Sequence, residues 1–154
     1  MPQKSNKIIG IVLVLVAIVV VYFVMQGSKT APNDDTTPVT PTPVVTGNAA
    51  DLVSFSVAPG AHVSGVMTVN GSVKNAYFFE ANIIVNILDA NQNVLRTGHG
   101  TATTDWMTVD PVSFTANLDF TGLATGPGFI EIHNDNASAL PQNDKHILVP
   151  VSIN

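Results

Sequence analysis

"VSFTANLDF", residues 112–120, decides the fold. Val112, Phe114, Ala116, Leu118 and Phe120 take every second position, and Ser113, Thr115, Asn117 and Asp119 fill those between. Side chains two apart share a face in an extended strand, so the stretch predicts a half-buried β-strand. Outward from it the same texture repeats. Runs at 52–57, 65–73, 81–88, 93–102, 111–120, 128–133 and 146–153 are short and rich in β-branched residues, with Gly, Pro, Asn and Asp clusters between them. After residue 50 no segment repeats apolar residues at helical spacing over three turns. Residues 51–154 are therefore expected to form an all-β, antiparallel sandwich of about seven strands.

Two connections are read from turn chemistry. "DANQN", 89–93, joins two strands, because Asp and Asn tolerate the conformations of a tight hairpin. Asn70-Gly71 is a hairpin signal that fits equally well as an irregularity inside one longer strand.

Ahead of the β-rich part the composition changes twice. Residues 8–25, "IIGIVLVLVAIVVVYFVM", contain no charge. As a helix, these 18 residues span roughly 27 Å, close to the thickness of a bilayer's hydrocarbon core. A lone strand would leave its backbone unsatisfied in lipid, so a membrane helix is expected, with the bilayer as its partner. The apolar core exceeds that of a signal peptide and no small-x-small cleavage site follows, which favours an uncleaved anchor. Lys4 and Lys7 place residues 1–7 in the cytoplasm and the remainder outside the cytoplasmic membrane. Residues 26–50 carry four prolines and six threonines, the composition of an extended, disordered spacer.

The β-rich part holds three Lys/Arg against nine Asp/Glu, a net of −6. That balance argues against nucleic acid or anionic lipid as its partner. The chain has no cysteine, so neither disulfides nor a thioether lipid anchor enters the argument.

"VSGVMTVNGSV", 63–73, followed by "FFEANIIVNILDANQNVL", 78–95, resembles the immunoglobulin-like domain associated with bacterial spore-germination proteins. The resemblance continues through Trp106 ahead of "VSFTANLDF" and through "IEIHNDNASALPQNDKHILVPVSI", 130–153, and so covers roughly residues 52–154. The family's hairpin usually has Gly where this chain has Gln92 or Asn93. The resemblance implies an immunoglobulin-like sandwich in an envelope protein without a catalytic role.

Glu80 and Trp106 are the candidate binding residues. With Phe79, Ala81, Ile83, Val85 and Ile87 on the core face, Glu80 falls on the other face beside Asn82, Ile84 and Asn86. The resemblance gives it a structural role, accepting backbone N–H or Arg96 hydrogen bonds at a strand end. Trp106 is expected to pack in the core or at a strand edge rather than to offer a carbohydrate platform.

No catalytic, metal or cofactor site is expected. "DANQN" resembles half an EF-hand loop, but Val94 and Gly100 stand where that loop needs Gly and Glu. Asp135 and Asp144 in "NDNASALPQND", 134–144, are read as turn formers rather than Ca²⁺ ligands. His62, His99, His133 and His146 lack zinc-type spacing, and no nucleophile elbow or phosphate-cradling loop occurs. The expected function is a binding or structural module facing an envelope protein or wall polymer. An envelope hydrolase or its accessory is the disfavoured alternative.

Overall fold

The computed structural model describes residues 42–74 and 76–154. The anchor expected at 8–25 and most of the expected spacer lie outside these residues. The described chain is all-β. Its strands are β1 (Thr46–Gly47), β2 (Leu52–Phe55), β3 (Ala61–Val63), β4 (Val66–Val73), β5 (Asn82–Asp89), β6 (Val94–Ala102), β7 (Val112–Asp119), β8 (Gly126–His133) and β9 (His146–Ile153). Short 3-10 turns at Ala49–Asp51 and Pro141–Asn143 complete the regular structure.

Hydrogen bonding runs β1-β9-β8-β5-β6-β7-β4-β2. Two sheets face each other across a core of alternating side chains. β7 contributes Val112, Phe114, Ala116 and Leu118, β5 contributes Ile83, Val85 and Ile87, and β9 contributes Ile147, Val149, Val151 and Ile153. All eleven are at most 4 % exposed, so burial of these apolar faces is the main stabilising term.

β6 belongs to both sheets. It pairs with β5 from Val94 to Thr101, and its last residues, Gly100 to Ala102, pair with β7. The crossing requires close approach: a Cβ on Gly100 would sit 2.8 Å from Ile83 Cγ2. Where β6 and β7 diverge, Arg96 bridges the gap. Its guanidinium donates to the carbonyls of Asp119 (2.9 Å) and Thr121 (2.6 Å) and pairs with the Asp119 carboxylate. Thr121 N–H, donating to Asp119 Oδ1, and Arg96 hold that carboxyl below the usual carboxylate range.

β4 is continuous through Asn70-Gly71, so the pair is not a turn. Gly71 is needed for a different reason. Phe55 and Phe114 stack with centroids 6.4 Å apart, and a Cβ on Gly71 would lie 2.6 Å from the Phe114 ring. The "DANQN" turn forms as expected. Asp89 accepts from Asn91 N–H, Asn93 N–H and Asn93 Nδ2, which lowers its carboxyl from the ordinary value. Gln92 carries φ +64°, the left-handed conformation glycine takes without strain.

The folded unit begins earlier than residue 51. β1, inside the expected spacer, pairs antiparallel with β9, and Val45 packs against the core. Beyond it, Gly60 N–H donates to Pro150 O, and β3 pairs parallel with Val151–Ile153. The whole outer edge of β9 is thereby covered. An uncovered edge would present unpaired N–H and C=O groups to other chains.

Candidate functional site

The end of the sandwich at which β4, β6 and β8 finish gathers three connections: 74–81, 103–111 and 134–145. Both candidate residues fall here. Glu80 lies in the first connection and Trp106 in the second, and the two connections meet through Ala102 N–H donating to Ala81 O.

The 74–81 segment is anchored by Tyr77, which is fully buried. Its hydroxyl donates to Asp51 Oδ2 at 3.3 Å, and Asp51 also faces Lys74 and Lys145 at 3.7 and 3.8 Å. Burial, and then the Asp51 charge, push the Tyr77 hydroxyl well above the usual phenol range. Phe78 packs on Phe114, with a centroid separation of 6.4 Å. Phe79 and Asn82 exchange backbone hydrogen bonds around Glu80 and Ala81, whose φ values are +48° and +64°. Two successive positive φ angles make a type I′ turn.

Ile83, Val85 and Ile87 face the core as expected, but this turn takes Phe79 off that face. β5 starts at Asn82, and Phe79 is exposed, while Phe78 and Tyr77 face inward. Arg96 sits with Asp119 and Thr121, so it does not hold Glu80. Glu80 is exposed, and its backbone carbonyl accepts from Asn82 Nδ2.

In the second connection, Met107 N–H donates to Asp105 Oδ1 and Asp110 N–H donates to Thr108 Oγ1. These local turns leave Met107 77 % and Val109 92 % exposed. Trp106 is half-buried and is not among the side chains packed on the core, so the core alternative of its expected role is not met. Sequence reasoning passed over Met107 and Val109. The available signal was an apolar pair inside a turn-rich segment, "DWMTVDP".

The third connection is closed by its own amides. Buried Asn134 donates to Asn143 O and accepts from Lys145 N–H. Asn136 donates to Leu140 O and Asp144 Oδ1. Leu140 is left exposed. The register also places His133 opposite His146, a pairing their sequence separation hides. His133 Nδ1 lies 2.7 Å from Asn134 O. Among the described residues, no three His, Asp or Glu side chains converge as a metal-binding group.

Two facing sheets, with β3 crossing to run parallel with the last strand, define an immunoglobulin-like sandwich with a cluster of loops at one end. The chain belongs to the family described as the immunoglobulin-like domain of bacterial spore germination, whose model matches residues 55–139. Comparison with the curated proteins and with the solved structures finds no match.

Proposed function

We propose that this chain is a membrane-anchored, non-catalytic recognition module, displayed outside the cytoplasmic membrane, that docks an envelope protein through its loop end. The observation that carries the reading is the exposure of Phe79, Met107, Val109 and Leu140 on three adjacent connections. Solvated loops seldom present four large apolar side chains together, and such patches mark contact surfaces. Asp105, Asp110 and Asp144 stand on the same connections, all exposed. They favour a protein with an apolar pocket and a basic rim, and they disfavour an anionic lipid surface. Residues 42–48 run alongside β9 towards this end, so the described chain approaches from the opposite end. The uncharged run at 8–25 supports the anchor.

Site-specific photo-crosslinking in intact cells tests this. A photoreactive residue at Val109 or Met107 should trap one defined protein, and one at Val66, exposed at the other end, should not. Val109→Asp should abolish the adduct without changing the melting temperature. Equal labelling from both ends sinks the reading.

A further inference from the structure

We infer a second site, on the flank of the sandwich, that binds an uncharged saccharide. The outer face of β2, β4 and β7 contains an open depression of about 400 Å³, a volume within the range of small-molecule sites. Ser54, Ser56, Asn70, Thr103 and Ser113 line it, and beneath them Phe55 and Phe114 belong to the core. No Asp, Glu, Lys, Arg or His contributes, although the β-rich part of the chain carries a net charge of −6. The flank formed by β8 and β9 differs, bearing Glu131, His133 and His146. The neutrality is therefore a property of this place, not of the whole surface.

The second observation is unused hydrogen-bonding capacity. Elsewhere on the same face Thr68 Oγ1 donates to Asn117 Oδ1 at 2.7 Å, so that pair is internally satisfied. In the depression, Ser56 Oγ accepts from Asn70 N–H at 2.9 Å, which leaves its hydroxyl proton directed to other acceptors. The Asn70 amide and the Ser113 hydroxyl make no hydrogen bond to the described protein groups, and Ser54 and Thr103 are both exposed. Hydroxyl and amide groups that both donate and accept, in a patch free of charge, match the hydroxyls of a sugar. A phosphate or carboxylate ligand would meet no cation there.

The depression meets the loop end only at Thr103, and Asn70 and Ser113 on the strands make the two surfaces separable by experiment. Full-length protein in a non-glycosidic detergent is titrated with a β-1,4-linked N-acetylglucosamine tetramer, a β-1,4-glucose tetramer and an anionic galacturonic acid tetramer. Amide chemical shifts are followed by NMR. A neutral tetramer should shift the resonances of Asn70, Ser113 and Thr103. The N-acetylated sugar acting alone points to a wall-type amino-sugar polymer, and both neutral sugars acting point to glucan-like chains in general. Asn70→Ala and Ser113→Ala should each weaken binding about tenfold, the effect of losing one or two good hydrogen bonds. Thr68→Ala and Val109→Asp should leave it unchanged. No shift with either neutral tetramer, a response to the anionic one only, or shifts confined to the loop end would overturn the proposal.

Discussion

Glu80 and Ala81 occupy the two central positions of a turn in which Asn-Gly is relaxed and side chains with a Cβ are strained. Ala81→Gly should therefore raise stability by about 1 kcal/mol, measured by urea denaturation. Glu80→Gln should change it by less than about 0.5 kcal/mol, because the carboxylate holds no strand end. At Gly71 the direction reverses. Gly71→Ala puts a methyl group into the Phe114 ring and should cost roughly 1 to 3 kcal/mol. Tyr77 has a pH signature. Its phenol is raised in the folded state, so the stability it contributes is complete below the ordinary value of 10.0 and is lost as pH rises above it. Melting temperature should fall between about pH 10 and 12, and the fall should be shallower in Tyr77→Phe.

Most elements were legible because strands reveal themselves by period. The seven runs read from alternation correspond to β2 and β4 through β9. β1 and β3 escaped, since two and three residues cannot display a period of two, and both exist to cover the β9 edge. The Phe78–Phe79 pair misled for a related reason: a type I′ turn interrupts the alternation just before β5, so the phase that holds for Ile83, Val85 and Ile87 does not extend back to Phe79. Arg96 was read as a partner for Glu80, and its true partners are backbone carbonyls that no residue pattern marks. Arg96→Lys should lower stability by about 1 to 2 kcal/mol, because a single ammonium cannot span both carbonyls with a planar fork. The "DANQN" hairpin titrates in the opposite sense to Tyr77. The Asp89 carboxyl is lowered, so its contribution is present above the ordinary value of 3.8 and is lost as pH falls below it.

For the molecule as a whole, Glu80 and Trp106 were visible one at a time, while the exposed apolar residues near them and the gathering of their connections were not. Glu80, Met107 and Leu140 lie in separate connections, and only the order of the strands brings those connections to one end. A fragment of residues 42–154 should fold alone, because paired amphipathic sheets of this size close a core without disulfides. Starting at 51 instead should lower the melting temperature and increase self-association, since β1 and Val45 are lost and part of the β9 edge is bared. Chelator should not move the melting temperature of the longer fragment. An ion held at 100 times its dissociation constant would add about 2.7 kcal/mol, a shift of several degrees that calorimetry would register.

The short pairing of β1 with β9 also determines how the module answers to force. A pull on the chain ahead of residue 42 runs along the axis of β1, so its bonds to β9, including Asn48 N–H to His146 O at 2.7 Å, are sheared together. Only two residues of ladder resist, whereas the core strands interlock over eight or nine. The weak link therefore yields first. Its release frees residues 42–51, a stretch whose full extended length is about 30 Å, while the paired core strands stay intact. A sandwich held this way takes up a sudden load in its first strand and re-zips when the load passes.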